Sequence, residues 1–336
     1  MQYCENNVIF NILSKLNFKE RYFFGIINKK SFYNGFMKYK HSEIINLPFQ
    51  YYRKCDEYLN IKFKIICKDS YFRSFYRLRN AYILDLSRCI KIKNINILKN
   101  IYSLNLSYCD NLIFNGNEMF NNHNLNLHKS NIENVNLLAN IHTLKLSECH
   151  NITDVSSLCN IKKLDLSWCE NITDVSALGN IYDLNLSYCK GITDVSALGN
   201  VKILNLRWCK NIIDVSELGN VYNLCLGKTN ISDVSSLINV KILNLECCYN
   251  IKDVSSLGNT YELNLAYSTI NDVSALGNVN KLSLYTCENI TDISKLNNVN
   301  ELDLSRCDNI YNIFSLEKTH NCIMSSSGTN TLFIKK

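Results

Sequence analysis

Pairs of leucines separated by one residue recur along most of the chain, and polar residues fill the positions around them. Successive pairs are 19, 20 or 21 residues apart. Alternating apolar and polar residues are typical of a short strand, and a fixed period near 20 is typical of stacked repeats. The pattern predicts a solenoid of about 12 units, each burying its apolar edge against its neighbours. The first leucines of the pairs are Leu84, Leu104, Leu125, Leu144, Leu164, Leu184, Leu204, Leu224, Leu243, Leu263, Leu282 and Leu302.

An asparagine stands four residues before the first leucine of every unit. An amide side chain both donates and accepts hydrogen bonds, so we expect this column to pair with turn backbone groups that the solenoid buries. The column comprises Asn80, Asn100, Asn121, Asn140, Asn160, Asn180, Asn200, Asn220, Asn239, Asn259, Asn278 and Asn298.

An aspartate followed by Val or Ile and then by Ser marks a second column. Asp174, before Val175–Leu178, is typical of a residue that caps one short helical turn, and the unit has no room for a longer helix. Eight equivalent carboxylates favour this structural role over catalysis. The column comprises Asp154, Asp174, Asp194, Asp214, Asp233, Asp253, Asp272 and Asp292.

A cysteine stands five residues after the first leucine in most units. Units with Ser130, Thr229 or Ser268 at this place are 19 residues long, whereas units with cysteine are 20 or 21 residues long. We expect a small thiol to be buried beside the wider turn and a hydroxyl to belong to the tighter turn. The cysteines are Cys89, Cys109, Cys149, Cys169, Cys189, Cys209, Cys248, Cys287 and Cys307.

These columns resemble the leucine-rich repeats over residues 80–316, through the motif Leu-x-x-Leu-x-Leu-x-x-Asn/Cys. The cysteine followed by Ile172-Thr173-Asp174 is most similar to the cysteine-containing subclass. The resemblance implies an α/β fold, a solenoid or horseshoe with parallel strands on the concave face and short 3-10 turns on the convex side. Units of about 20 residues, where about 26 are usual in that subclass, predict that long convex helices are missing.

The distribution of charge divides the chain into two segments, and the cysteines predict the cellular compartment in which it works. Residues 1–80 hold 15 Lys/Arg and 6 Asp/Glu, a net charge of +9, and residues 81–336 hold 21 and 24, a net charge of −3. Neighbouring cysteines of the column would lie about 4.8 Å apart and point the same way, and Cys4-Glu5-Asn6 interrupts any apolar core of a signal peptide. We expect reduced thiols in a cytoplasm, which is the host cytoplasm if the source is a virus or an intracellular organism.

Several classes of site and location find no support. The 16 cysteines include no Cys-x-x-Cys pair and the six histidines are scattered, so no metal or other cofactor is expected. No apolar run approaches the length that spans a bilayer. No nucleophile with an adjacent base and no phosphate-binding loop stands outside the repeat columns, so we expect a protein that is not an enzyme and has no catalytic residues.

Residues 1–40 have apolar residues at helical spacing, which predicts a small helical unit. They resemble an F-box in Ile9–Leu16, in Tyr22–Phe24 and in Ile27–Tyr33, with Asn6-Asn7 in place of the leading Leu-Pro. The resemblance implies docking onto the Skp-type adaptor of a cullin–RING ubiquitin ligase. The implied adaptor contacts are Ile9, Ile12, Leu13, Leu16 and Phe24. The alternative is a helical cap that covers the open edge of the first repeat.

Residues 41–80 form a basic, aromatic bridge between this unit and the repeats at 81–316. Phe63 and Ile65 lie about one period before Leu84, so the bridge could include a degenerate first repeat. Mixed basic and aromatic residues can also bind nucleic acid, which we consider the less favoured interpretation. Residues 317–336 are expected to form a degenerate C-terminal cap, with a further strand at Cys322–Met324.

A candidate protein-binding surface lies on the concave face, on which residues beside the inward leucines are exposed. Exposed aromatic rings beside basic side chains are typical of interaction hot spots. The alternative is that the rings pack on one another as a structural stripe. The candidate residues are Tyr108, Trp168, Tyr188, Arg207, Trp208, Lys228, Tyr267 and Arg306.

The sequence therefore predicts a scaffold that binds a protein partner and performs no chemistry. The first hypothesis is an F-box/leucine-rich-repeat substrate-recognition subunit that links the bound protein to a Skp-cullin ubiquitin ligase. The alternative is a plain leucine-rich-repeat binding or inhibitor protein whose helical N-terminus is a cap.

Overall fold

All strands that the computed structural model describes belong to one sheet, in chain order. The structure describes residues 45–48, 63–66, 81–89, 92–113, 119–310, 321–324 and 332–335. Strands β1 to β15 run parallel, and β16 runs antiparallel to β15. The strands are β1 Ile45–Pro48, β2 Phe63–Ile66, β3 Ile83–Asp85, β4 Ser103–Asn105, β5 Asn124–Asn126, β6 Thr143–Lys145, β7 Lys163–Asp165, β8 Asp183–Asn185, β9 Ile203–Asn205, β10 Asn223–Cys225, β11 Ile242–Asn244, β12 Glu262–Asn264, β13 Lys281–Ser283, β14 Glu301–Asp303, β15 Asn321–Met324 and β16 Leu332–Lys335.

The register repeats from strand to strand, which confirms the predicted solenoid. From β3 to β14 the first leucine of each unit lies opposite the first leucine of the next, as Leu164 lies opposite Leu184. Strands β2 and β15 extend this register beyond the repeats, because Ile65 pairs with Leu84 and Cys322 pairs with Leu302. The helical unit expected within residues 1–40 lies outside the described residues.

Short 3-10 segments connect most of the strands. In each capped unit the aspartate accepts the first backbone N–H of the turn, as Asp174 Oδ1 accepts from Ser176 at 2.9 Å, which confirms the capping prediction. No α-helix occurs in the part of the chain that the structure describes, and none of its helices is long and apolar enough to cross a bilayer. The segments are Asn96–Leu98, Asn136–Leu138, Ser156–Leu158, Ser176–Leu178, Ser196–Asn200, Ser216–Asn220, Ser235–Asn239, Ser255–Asn259 and Ser274–Asn278.

Each unit contributes the same set of buried side chains to one continuous core. In the unit that begins with Leu164, the 3-10 leucine Leu178 is fully buried together with the strand leucines. Full burial of a leucine stabilises the fold by about 1.5–3 kcal/mol, so the repeated columns supply the main favourable contribution to folding. The buried set of this unit is Leu164, Leu166, Cys169, Ile172, Val175, Leu178 and Ile181.

The cysteines five residues after the first leucine form a buried column, here called the thiol column together with Ser130, Thr229 and Ser268. From Cys109 onward each of these cysteine thiols donates to the carbonyl of the second leucine of the preceding unit, at 3.0–3.4 Å. In the 19-residue units the hydroxyl lies beside the next cysteine, as Thr229 Oγ1 lies 3.6 Å from Cys248 Sγ while it donates to the Leu226 carbonyl at 2.7 Å. The predicted burial of thiol and hydroxyl is confirmed.

The expected role of the asparagines before the strands is wrong. All described members of that column, from Asn100 to Asn298, are exposed at the ends of the turns. Two other polar columns bind the backbone. At the end of the strand, Asn185 Oδ1 accepts from the Ser187 N–H at 3.1 Å. On the turn side, Asn171 Nδ2 donates to the His150 carbonyl at 2.7 Å.

Candidate protein-binding face

The residue four places after the first leucine has a left-handed backbone in every unit. All twelve have φ between 54° and 66°. From Arg88 to Thr286 their N–H groups continue the interstrand hydrogen bonds, as Trp168 N donates to Ser187 O at 2.8 Å. The bend sends this side chain outward and the following thiol inward. We call these residues the left-handed column: Arg88, Tyr108, Lys129, Glu148, Trp168, Tyr188, Trp208, Lys228, Cys247, Tyr267, Thr286 and Arg306.

This backbone conformation is costly for the residues that adopt it. A left-handed φ costs an L-residue roughly 1–2 kcal/mol, whereas glycine adopts it freely and asparagine tolerates it. None of the twelve positions holds glycine or asparagine, although asparagine is abundant in the chain. The column instead holds large aromatic and charged side chains. Strained backbone positions of this kind cluster at functional sites.

Four members of the column form one cluster, which we call the aromatic ridge: Trp168, Tyr188, Trp208 and Lys228. The Trp168 and Tyr188 rings stack with centroids 3.8 Å apart and planes 9° apart. The Tyr188 and Trp208 centroids lie 5.5 Å apart, and Lys228 Nζ lies 4.6 Å from the Trp208 ring centre. Trp168 is still 40% exposed. Four of the eight predicted residues thus form a stacked aromatic surface with a cation at one end.

Arg207 is engaged within the protein. Its guanidinium forms a bidentate ion pair with Glu246 across the intervening unit, at 2.7 and 3.0 Å. Gly227 lies beneath the pair, and a Cβ there would come within 3.0 Å of Arg207 Nη1. Hydrogen bonding to Arg207 lowers the pKa of Glu246, and the pKa of Arg207 is raised by the same contact. We call the ion pair between Arg207 and Glu246, with Gly227 beneath it, the brace. It lies beside the aromatic ridge.

Glu246 and Gly227 were not singled out from the sequence. Both stand three residues after the first leucine, where most other units hold serine. Serine is missing from this position in five successive units, and the first three of these hold Arg207, Gly227 and Glu246. The opposite charges on either side of a glycine are the signal that could have identified the brace.

The remaining predicted residues lie in two smaller groups. Tyr108 contacts the Arg88 guanidinium, whose Cζ lies 5.0 Å from the ring centre, and packs edge-on against His128 at 5.0 Å. Tyr267 packs edge-on against Tyr285 at 5.3 Å. Arg306 Cζ lies 5.7 Å from the centre of that same Tyr285 ring. Tyr285, which joins Tyr267 to Arg306, was missed because it stands one residue before the left-handed column.

The polar residues at the centre of this face are occupied with one another. Asn185 Nδ2 donates to Asp165 Oδ1 at 3.1 Å, and Asp165 Oδ1 also accepts the N–H and hydroxyl of Ser167. These groups stabilise the strand ends through their hydrogen bonds. The side chains that remain available to contact a partner are therefore those of the left-handed column.

The buried thiols are poor nucleophiles. Burial raises the pKa of Cys169 and of Cys209 from 9.0 to about 12, which keeps both thiols protonated at neutral pH. No group of His, Cys, Asp or Glu in the described part of the chain could hold a metal ion. The adaptor contacts inferred from the F-box resemblance, Ile9 to Phe24, lie outside the described residues.

Comparison with known proteins identifies the fold. No protein-family model matches the chain, and no curated protein matches its sequence. An internalin (inlF) of Listeria monocytogenes aligns with a TM-score of 0.55 and 20% identity, over 82% of this chain and 83% of that protein. The functional domain of InlJ from the same species, which includes a cysteine ladder, aligns at 0.45 with 18% identity over 79% of this chain and 62% of that one.

A leucine-rich repeat protein of Leptospira interrogans aligns with a TM-score of 0.46 and 17% identity, over 81% of this chain and 91% of that one. Of these likenesses, the one to the internalin is close enough to compare folds. Together with the uniform strand register, it shows that this chain is a leucine-rich-repeat solenoid.

Proposed function

We propose that this chain is a protein-interaction scaffold, without chemistry of its own, that holds a protein partner against the aromatic ridge. The observation that carries the proposal is the left-handed column: twelve strained positions, none of which holds glycine or asparagine. If the column had only to continue the fold, the less strained residues would serve better. The side chains of this column, rather than its backbone, therefore supply the contacts with the partner.

The ridge has the properties of an interaction hot spot. Trp and Tyr provide large contact areas at a low cost in side-chain entropy, and stacking of Trp168 on Tyr188 holds them in place before a partner arrives. Stacking is also what a purely structural stripe would show. The ridge differs from such a stripe because Trp168 stays 40% exposed after stacking, and because Lys228 and Lys210 both approach Trp208.

The test is affinity purification of the full chain from cells of its source, followed by binding measurements with the recovered partner. A variant with Trp168, Tyr188 and Trp208 changed to Ala should lose that partner, with affinity falling at least about 100-fold. Tyr249→Ala, which removes an exposed ring outside the ridge, is the matched control. Retention of the partner by a folded triple variant would contradict the proposal.

The N-terminal segment suggests a more specific version, in which the scaffold is the substrate-recognition subunit of a Skp-cullin ubiquitin ligase. The support is the F-box-like order of residues in Ile9–Leu16 and Tyr22–Phe24. The alternative, a plain binding or inhibitor protein with an N-terminal cap, explains the same apolar residues. Co-purification with a Skp-type adaptor distinguishes the two.

In that experiment the full chain is compared with a variant in which Ile12, Leu13 and Leu16 are changed to polar residues. The ligase proposal expects adaptor binding by the parent and loss in the folded variant. If both proteins recover the same amount of adaptor, or if neither recovers any, the ligase proposal is contradicted and the plain binding or inhibitor protein is supported.

We also propose that the protein works in a reducing compartment such as a cytoplasm. The support is the thiol column, in which successive thiols donate hydrogen bonds to backbone carbonyls and are buried in the core. Mass spectrometry of protein isolated from its source without reductant, then unfolded and alkylated, should find the column fully alkylated. Disulfides within it would contradict the proposal.

A further inference from the structure

A second row of exposed side chains runs along the other margin of the sheet, two residues before the first leucine of each unit. Lysine and tyrosine alternate strictly over six successive units. The tyrosines are exposed by 41%, 44% and 52%, and the lysines are exposed as well. We call this row the Lys–Tyr stripe: Lys162, Tyr182, Lys202, Tyr222, Lys241 and Tyr261.

Contacts between successive units show that the side chains of the stripe lie on one side. Lys162 Nζ lies 4.1 Å from the Tyr182 ring centre, and Lys202 Nζ lies 4.4 Å from that of Tyr222. The row continues toward the N-terminus as a stack of rings, in which His142 lies 4.3 Å from its neighbour. Cation–π contacts place the ammonium groups of Lys162 and Lys202 against these rings, at the surface of the protein.

The charge of the stripe is not neutralised by its surroundings. Among the described residues no carboxylate forms an ion pair with Lys162, Lys202 or Lys241. The adjacent column holds two acidic residues over these six units: Asp183, which is paired with Lys163 at 3.2 Å, and Glu262, which lies opposite Ile242 and forms no ion pair within the described part of the chain. The stripe therefore offers three cations separated by tyrosine rings, and it complements a surface that alternates acidic and apolar groups.

The spacing of the stripe matches one kind of secondary structure. Neighbouring strands lie about 4.8 Å apart, so equivalent lysines two units apart are about 9.6 Å apart. On an α-helix, residues i and i+7 lie on one face about 10.5 Å apart, and residues i+3 and i+4 lie midway between them. A helix lying across the strands would bring an acidic residue to each lysine and an apolar residue to each tyrosine.

A single-stranded nucleic acid fits the stripe less well. Its backbone carries a charge at every nucleotide, whereas every second position of the stripe is a neutral ring. The faces of Tyr182 and Tyr222 on which a base would stack are each covered by a lysine on one side.

We propose that the Lys–Tyr stripe is a docking surface for an amphipathic α-helix of a partner protein, with acidic residues at heptad spacing and apolar residues midway between them. The surface is separate from the aromatic ridge, which lies six residues further along each unit. It goes beyond the proposed scaffold function, since it specifies a second site and the chemistry of its occupant.

The test uses a designed 18-residue helical peptide with Glu at positions 1, 8 and 15 and Leu at positions 4, 11 and 18. Binding to the full chain is followed by fluorescence anisotropy at low and at physiological salt. We expect saturable binding that weakens with salt. A peptide of the same composition with its Glu and Leu residues dispersed around the helix should bind at least about tenfold more weakly.

Charge reversal identifies the surface. Changing Lys162, Lys202 and Lys241 to Glu should weaken binding by about tenfold or more, because each exposed ion pair becomes a repulsion. A peptide with Lys in place of its three Glu should bind this variant better than it binds the parent. Lys202→Glu alone is compared with Lys295→Glu, which makes the same change in net charge at an exposed turn and should leave affinity within twofold.

Three results would overturn the proposal. They are no saturable binding of the peptide to the folded chain, equal effects of Lys202→Glu and Lys295→Glu, and binding of a labelled oligothymidylate that the stripe variant loses while the peptide never binds. The last result would assign the stripe to nucleic acid.

Discussion

Tyr188 and Cys189 are neighbours in the chain but belong to columns with opposite properties. The thiol column holds Cys, Ser or Thr in every unit and is buried, whereas the left-handed column holds seven different residue types, and all but one of its members are exposed or partly exposed. One backbone bend produces both, because the positive φ of the first residue turns its side chain out and the next side chain in. Uniformity among the units therefore marks structural residues, and variety at a strained position marks residues selected for their side chains.

The strongest test of this contrast places the same substitution in both columns. Cys189→Asp would bury a carboxylate between stacked units, and we expect the free energy of unfolding to fall by more than about 4 kcal/mol. Tyr188→Asp should cost less than about 1.5 kcal/mol, mainly through lost ring stacking. Urea unfolding followed by circular dichroism measures both. Similar losses in the two variants would remove the distinction between the columns.

Alkaline pH should destabilise the protein, and the buried thiol column should contribute to this loss. Burial raises the pKa of Cys169 and Cys209 to about 12, so the folded state keeps protons that the unfolded state releases near pH 9. This contribution to stability is complete below about pH 9 and is lost as the pH rises toward 12. Denaturant midpoints across this range, and alkylation of the column by iodoacetamide only after unfolding, check the effect. Alkylation of these thiols in the native state would contradict it.

Exchanging the thiol-column residue of a 19-residue unit should test whether that residue determines the length of the turn. Ser268 Oγ lies 3.3 Å from Cys287 Sγ in a buried site, so the larger and more distant sulfur of Ser268→Cys overfills the space. We expect a loss of about 1–2 kcal/mol in urea unfolding. Ser232→Cys, at an exposed turn of another short unit, is the control and should be neutral within about 0.5 kcal/mol.

The smallest effect should be a gain in stability within the left-handed column. Thr286 is β-branched at φ 56°, and its buried hydroxyl has no hydrogen-bond partner among the described residues. Thr286→Gly should relieve both costs and raise the free energy of unfolding by about 0.5–1 kcal/mol after the entropic cost of glycine. Thr291→Gly, at an exposed turn, should not stabilise the protein. A loss in Thr286→Gly would mean that the column is not strained.

Most of the fold could be predicted because the repeated leucines fix the register in which neighbouring strands pair. Each unit buries leucines at the same two places, so a slip of one residue would expose them in every strand at once. The capping role of Asp174 was predictable because it depends on residues of its own unit, and the burial of Cys169 was predictable because the same small residue type recurs in its column.

The errors came from groups whose partners lie in another unit. The asparagines before the strands looked like backbone-binding residues, but their side chains form no hydrogen bond to the backbone in the described part of the chain, where residues such as Asn171 and Asn185 do so instead. Periodicity identifies a column but does not say which of two polar columns lies within reach of a buried carbonyl.

The sequence by itself determined the repeat length, the buried columns and the order of parallel strands, because these follow from the placement of apolar residues along one chain. Tertiary structure decided three features: the left-handed backbone beneath the aromatic ridge, the brace from Arg207 to Glu246 over Gly227, and the Lys–Tyr stripe. These features join residues about 20 or 40 positions apart, which become neighbours only when the units stack at about 4.8 Å.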